Sequence, residues 1–375
     1  MSTIRKIDKA ELYVVKLPLI SPFVTGAGAI DHRESLLLKL TSGEFSGWGE
    51  CAAFRDPWYY HETIDTALHI AATYLIPELF RSSGLIPEKI PELYSWINGH
   101  NMAKAMIENA VFDLYSNINE VPLFQILGGT RRRIRSGISL GIADNENTLL
   151  GNVEDAVKKR YHKIKIKIRK GWDANIVSAI RSSFPYINLS VDANGQYSVN
   201  DLSIMRMLDK LDLNMIEQPF GAEFLQEHSA LQKQIETSVC LDESITGIKA
   251  AENAVSLQSC RVICIKQGRV GGLINALKIK DFCIDNSIKA WCGGMLETGI
   301  ARVFNLHLQG VEGFELPGDI SETSRYFEED IVKEPVILDK DGYIEIPPGN
   351  GAGIEIDGNM IEKFLVFRKI MVGSG

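Results

Sequence analysis

The sequence predicts an α/β barrel covered by an α+β cap that is built from the N-terminal part of the chain and its C-terminal tail. Three observations carry this reading. Short apolar segments recur through the middle of the chain, most with a gap long enough for a crossover helix, which implies parallel strands. The first 133 residues lack that repeat and read as strands followed by helices. Beyond residue 320 the repeat stops, and the turn-rich "IPPGNGAGIEID" marks a tail that packs back on the opening unit. The domains expected are therefore a cap over 1–133, a barrel over 134–320 and a returning segment over 321–375.

Taken in order, "ELYVVKLPL" and "ESLLLKL" read as strands, and "TSGE" turns the chain into a third, "FSGWGEC". Between the first two, "SPFVTGAGAIDH" is rich in Gly and small residues and reads as a mobile loop. Residues 63–76 carry apolar side chains at helical spacing. In "NMAKAMIENAVFDLY" one stripe joins Met106, Ile107, Ala110, Val111 and Leu114. Eight strands are then expected at 136–142, 163–168, 187–193, 214–219, 238–244, 261–267, 288–294 and 313–316. Eight βα units close into a barrel.

Composition narrows the function. The chain has 375 residues, 45% hydrophobic and 23% charged, as expected of a globular protein with a substantial core. A net charge of −8 argues against nucleic-acid binding. The basic run at Arg131, Arg132, Arg133 and Arg135 reads as a solvated connection. No stretch approaches the roughly 18 apolar residues of a membrane span. Arg5, Lys6, Asp8 and Lys9 interrupt any secretory pattern. The six scattered cysteines, with no second pair to complete a zinc site, read as reduced core residues of a cytoplasmic protein.

The chemistry lies in a period. In "KIKIKI" a strand places Lys163, Lys165 and Lys167 on one face and Ile164, Ile166 and Ile168 on the other. An edge strand guarded by lysine is one explanation; a lysine face turned into a polar site is another. The rest of the chain favours the second. Lys167, Asp192, Glu217 and Asp242 are spaced 25 residues apart, and Lys266 follows Asp242 by 24. Each falls near the C-terminal end of its strand, where a barrel gathers its active site. Any one of the three acids could cap the next helix. Three at one phase repel unless a cation lies between them, and hard oxygen ligands suit Mg²⁺, Mn²⁺ or another divalent ion. Lysines on either side would flank a small-molecule carboxylate substrate. A lysine acts as a base only when neutral, so nearby positive charge must lower its pKa. The metal would then stabilise the enediolate left by loss of the α-proton.

These residues resemble the enolase superfamily, and within it the muconate-lactonizing subgroup, which carries a Lys-x-Lys on the second barrel strand and a lone Lys on the sixth. Here these are "KIK" at Lys165 and Lys167 and "IKQGRVGG" at Lys266. The family's ligands match "VDANG" at Asp192, "IEQP" at Glu217 and "LDES" at Asp242. "WGEC", "AVFDL" and "LFQILGG" look like its capping domain and the junction to the barrel. The resemblance implies a TIM-like, modified (β/α)7β barrel and an enzyme that associates with copies of itself.

"GWD" at 171–173, "WCGGMLETG" at 291–299 and "ELPGDISETSRYF" at 315–327 resemble, more narrowly, the o-succinylbenzoate synthase and N-acylamino acid racemase group. That likeness implies Lys167 as acid–base catalyst, Lys266 on the opposite face and Lys165 as an aid to carboxylate binding and charge. Asn194 and Glu243 match positions that support the metal and lysine shell, and Arg269 an arginine associated with racemisation. Lys170 and Gln267 stand where proline is frequent, and Gly195 where a polar residue is usual. The Asp-x-Asp of dipeptide epimerases is absent from "GFELPGD". Phe23, Thr25, Phe54 and Trp58 are candidate lid contacts, with packing of the cap core as the alternative; Ser139, Gly294 and Met295 are candidate substrate neighbours.

The leading expectation is a hydro-lyase that dehydrates a cyclohexadiene carboxylate on the menaquinone route, with racemisation of N-succinyl amino acids as the alternative. A muconate cycloisomerase ranks lower. A Schiff-base aldolase would need no metal, a glycosidase would leave the lysines idle, and a catalytically dead binding protein would not need all five charged positions.

Overall fold

The computed structural model describes residues 1–25 and 28–373. The chain opens with three antiparallel strands, β1 (Lys9–Val24), β2 (Ala29–Ser42) and β3 (Phe45–Cys51). β1 and β2 pair from Lys9↔Thr41 to Pro18↔His32, and again at Phe23↔Ile30 and Val24↔Ala29. The segment expected as a mobile loop is therefore largely strand, carried across an irregularity between Pro18 and Phe23. Its Gly26 and Ala27 lie outside the described residues.

The expected helix at 63–76 starts on a Thr63 cap and runs on to Arg81 through a π turn at Ala71–Leu75. Pro77 lacks an N–H and would end an ordinary helix. A wider turn just ahead of it, with Ile76 N–H bonded to Ala71 O, carries the chain past. The helix α1 (Asn101–Ile118) lies across the sheet at backbone contact. A Cβ on Gly47 would fall 2.2 Å from Leu114 N, and one on Gly49 2.1 Å from Met106 O. That is why "SGWGE" carries two glycines on the face that meets the helix.

The barrel strands are β4 (Gly137–Leu140), β5 (Lys163–Lys167), β6 (Leu189–Asp192), β7 (Met215–Glu217), β8 (Ser238–Leu241), β9 (Val262–Ile265) and β10 (Lys289–Cys292). They form one seven-stranded parallel sheet in chain order. The eighth strand expected at 313–316 reduces to single bridges, Ala290↔Phe314 and Ser136↔Gly318. Gly313, Pro317 and Gly318 flank it and leave little room for a ladder. It still closes the ring, because Asp319 N–H donates to Cys292 O and Gly137 N–H to Gly318 O.

Outside the sheet run α2 (Glu146–Lys158), α3 (Ala174–Ser183), α4 (Leu202–Leu208), α5 (Leu225–Gln232), α6 (Ile248–Ser256), α7 (Leu273–Asp285) and α8 (Gly299–Gln309). All of β5 is buried, which rules out the edge-strand explanation. Ile164, Ile166 and Ile168 join the core that holds Leu149 and Val153 of α2 and Val177 and Ile180 of α3. A small inner cluster of Met215, Cys240, Val262, Cys264 and Trp291 forms the floor inside the ring.

The tail returns as β11 (Leu365–Val372), antiparallel to β1 from Lys9↔Val372 to Val15↔Leu365. Carboxylates of the cap also bind the N-termini of barrel helices, where backbone N–H groups lack partners. Glu50 accepts from Thr298 N, Thr298 Oγ1 and Ala301 N at α8, and Glu108 from Ile274 N at α7. Among the described residues no helix is long and apolar enough to cross a membrane, and all six cysteines are free and buried.

Candidate active site

Sheet register brings the period together. Lys167 pairs with Asp192 and Asp192 with Glu217 across β5, β6 and β7, while Asp242 and Lys266 follow β8 and β9 directly. All five side chains are buried at the C-terminal rim of the ring. Two rim residues, Asn194 (φ 44°) and Gln218 (φ 40°), adopt left-handed backbone just after Asp192 and Glu217. Such strain away from glycine gathers at functional sites. Both earn their place through hydrogen bonds. Asn194 N–H donates to Asp192 Oδ1, and its side chain links Lys167 Nζ to Glu243 Oε1. Gln218 Oε1 accepts from the backbone of Asp242 and Ser244, fixing the turn that carries Asp242.

The lysines neutralise the acids directly. Lys167 Nζ lies 2.5 Å from Asp192 Oδ2. Lys165 Nζ lies 2.7 Å from Glu217 Oε2, 3.2 Å from Asp192 Oδ2 and 2.6 Å from Asp319 Oδ2. Lys266 Nζ meets Asp242 Oδ2 and the Tyr59 hydroxyl, each at 2.8 Å. Arg269 Nη2 lies 2.7 Å from Asp242 Oδ1, an ion pair off the hydrogen-bond direction.

Electrostatics follow from these contacts. Burial and the neighbouring Asp192 push Glu217 up to about 8, and Asp242 adds to the rise. Burial opposes the charge on Asp242, but Arg269 and Lys266 outweigh it and hold its carboxyl well below the usual range. Asp192 is lowered too, by Lys167 and Lys165 against burial. For Lys165 and Lys266 the outcome is opposite to the lowering expected of a base. Burial disfavours their ammonium groups, but Asp319, Glu217 and Asp192 hold Lys165 well above the lysine range, and Asp242 does so for Lys266.

A hard divalent cation fits this arrangement. Glu217 Oε1 is buried without a hydrogen-bond partner, and the Glu217 carboxyl stands near those of Asp192 and Asp242. Among the described residues, Glu217, Asp242 and Cys264 offer potential ligand atoms that all lie within 4.8 Å of one another, while Asp192 is turned towards the two lysines. Burial and the adjacent Asp242 and Glu217 raise the Cys264 thiol well above its ordinary pKa.

One cavity opens onto the lysines of this site. Phe23, Thr25, Phe54, Trp58, Ser139, Gly294 and Met295 all line it, beside Lys165, Lys167, Asn194 and Lys266. Phe54 also belongs to the buried core of the cap, where its ring packs 4.9 Å from Trp58, so packing and lining coincide there. Sequence reasoning missed Tyr59, Glu297, Arg302, Asn305, Asp319 and Tyr326, which share the lining. They stand on loops or on α8, outside the 25-residue period. Asp319 lies within the "ELPGDISETSRYF" segment, which supplied a resemblance but no role. Tyr59 is the most telling omission, for its hydroxyl reaches Lys266, Arg269 and Asp242 together.

Comparison with known proteins agrees with this fold. Residues 149–360 match the enolase C-terminal domain-like family, and residues 9–128 match the N-terminal domain of mandelate racemase / muconate lactonizing enzyme. The chain is 40% identical over 372 residues to an o-succinylbenzoate synthase of Bacillus subtilis, covering 99% of this chain and 100% of the relative. It is 38% identical over 369 residues to an N-succinylamino acid racemase of Thermus thermophilus, covering 98% and 100%. A crystal structure of an enolase superfamily member from Listeria innocua superposes with a TM-score of 0.95 at 39% identity, covering 99% of this chain and 100% of that one. The chain therefore belongs to the enolase superfamily, in its mandelate racemase / muconate lactonizing enzyme group.

Proposed function

We propose that this enzyme is an o-succinylbenzoate synthase, which removes water from 2-succinyl-6-hydroxy-2,4-cyclohexadiene-1-carboxylate. The observation that supports it best is the cavity flanked by Lys167 on β5 and by Lys266 beyond β9, with Asp192, Glu217 and Asp242 at the C-terminal ends of the strands between. The likeness to synthases supplies the substrate class.

Asp192, Glu217 and Asp242 are the proposed ligands of a divalent ion, Mg²⁺ or Mn²⁺, which when bound supplies positive charge beside a substrate carboxylate. Lys167, neutral when it acts, takes the proton from the carbon α to that carboxylate. The electron pair moves towards the carboxylate, hydroxide leaves the adjacent ring carbon, and Lys167 returns the proton to it as water. In the dehydration Lys266 faces the other side as an ammonium paired with Asp242. Lys165 remains a fixed charge beside Glu217 and Asp192. Asn194 and Glu243 orient Lys167. Phe23, Phe54 and Trp58 exclude water, while Thr25, Ser139, Gly294 and Met295 shape the space for the succinyl arm.

A second activity, racemisation of N-succinyl amino acids, is favoured by Arg269. It touches Asp242 and Tyr59 and so belongs to the environment of Lys266, which must itself exchange protons if both faces are to work. The test of the main reading is a spectrophotometric dehydration assay with and without chelator. Turnover that chelation abolishes and Mg²⁺ restores is expected; turnover indifferent to chelation contradicts the assignment of the three acids.

A further inference from the structure

We propose that Asp319, anchored by Lys163, is the positioning residue for Lys165, and that it keeps Lys165 from displacing Lys167 at Asp192. The inference rests on the second activity proposed above, in which Lys167 and Lys266 exchange protons on opposite faces.

Lys163 has no part in the reaction proposed above, yet its side chain is only 1% exposed. Burying an ammonium group is costly unless it is paired. Among the described residues its one ionic partner is Asp319, with Nζ 2.9 Å from Oδ1 and off the hydrogen-bond direction. Its other neighbour is the face of Trp291, 3.4 Å from Nζ to the ring centroid, a cation–π contact. Trp291 is fully buried in the floor of the ring. Lys163 is thus held from below and holds Asp319 in turn.

The second oxygen of Asp319 is 2.6 Å from Lys165 Nζ, nearer than Glu217 Oε2 or Asp192 Oδ2. The contact with Asp192 matters most, because Lys165 and Lys167 share the same atom. Lys167 Nζ is 2.5 Å from Asp192 Oδ2 and Lys165 Nζ is 3.2 Å from it. A lysine head on a flexible four-carbon stem moves to whatever acceptor is left to it. Without Asp319, Lys165 is free to close on Asp192 Oδ2 and push Lys167 out of its place between Asp192 and Asn194. Lys266 stands outside this competition, since its partners are Asp242 and Tyr59. Loss of the clamp should therefore damage one face of the site and spare the other, which a general loosening of the barrel would not do.

The test follows α-proton exchange of the two enantiomers of N-succinyl-phenylalanine separately in D₂O with Mg²⁺. Lys167→Ala and Lys266→Ala identify which enantiomer depends on which lysine. Asp319→Asn is expected to slow the Lys167-dependent exchange about tenfold to a hundredfold and to leave the Lys266-dependent exchange within about threefold. Lys163→Met attacks the clamp from its other end and should give the same asymmetry, so the test stands if either variant folds. Equal slowing of both enantiomers, or of neither, overturns the proposal. Wild-type enzyme that exchanges neither enantiomer removes the two-base reading for this substrate on which the proposal rests, and does so before any Asp319 or Lys163 variant is measured.

Discussion

Tyr59 is the point where the cap touches the chemistry. It belongs to the segment between β3 and the helix that starts at Ile64, yet its hydroxyl accepts from Lys266 and Arg269 and lies 3.2 Å from Asp242 Oδ2. Burial and the charge on Asp242 hold this phenol well above its ordinary pKa, so it stays a neutral hydroxyl at working pH. A hydrogen bond to a charged group contributes about 1.5–3 kcal/mol. Tyr59→Phe keeps the ring and removes the bond, so kcat is expected to fall about tenfold to a hundredfold while the fold survives. Steady-state kinetics with a thermal melt check this, and an unchanged kcat would show that the contact with Lys266 is incidental. Tyr59 was not legible in the sequence, because a loop residue in "DPWYYH" has no period to announce its direction. The five groups on strand ends were legible because β-strand alternation and the 25-residue repeat fix both their face and their height.

The elements dock through close contacts that can be tested singly. Gly49 brings β3 against α1 with no space for a methyl group, since the Cβ would fall 2.1 Å from Met106 O. Backbone cannot yield as a side chain end can, so Gly49→Ala should cost about 1–3 kcal/mol of stability or more, read from urea unfolding. A neutral result would mean that α1 shifts freely on the sheet. Glu108 secures α1 to the start of α7 and lies against Gly272 (φ 120°), where an added Cβ would be 2.4 Å from its Oε2. Burial pushes Glu108 up to about 8 from 4.5.

Between those two values the folded chain keeps a proton that the unfolded chain has lost. Stability therefore falls as pH rises through the window, by up to about 1.4 kcal/mol per pH unit from this group alone. Glu108→Gln is expected to lose less stability than wild type between pH 5 and pH 8. Equal losses would mean that Glu108 is ionised throughout. Element boundaries were less legible than element order. The final βα unit was read as a strand, but Pro317 and two glycines reduce it to bridges, and the long β1–β2 hairpin hid behind small residues that suggested a loop.

At the scale of the molecule, two parts make one site. The barrel supplies charge through residues whose positions follow from topology, and the cap supplies Phe23, Thr25, Phe54, Trp58 and Tyr59 to the same cavity. β11 pairs with β1, so the end of the chain steadies the sheet from which the first cavity residues extend. Glu50 and Glu108 fix the cap to α8 and α7, which places the aromatic residues over the ring. Sequence alone led to the barrel and its charged groups because both obey a repeat. It did not lead to the lining contributed by Glu297, Arg302, Asn305 and Tyr326, which depends on how distant segments meet.

The central claim is that Lys167, with carboxylates that bind a divalent ion, removes a proton α to a carboxylate. The measurement that tests it most directly is proton NMR of N-succinyl-phenylalanine in D₂O with Mg²⁺, run on wild type, on Lys167→Ala and on a chelated sample. Loss of the α-proton signal in wild type is predicted, with exchange of the Lys167-dependent enantiomer slowed by about 10²–10⁴ in the variant and exchange abolished by chelation. Exchange of both enantiomers that persists in Lys167→Ala, or that ignores the chelator, would contradict it.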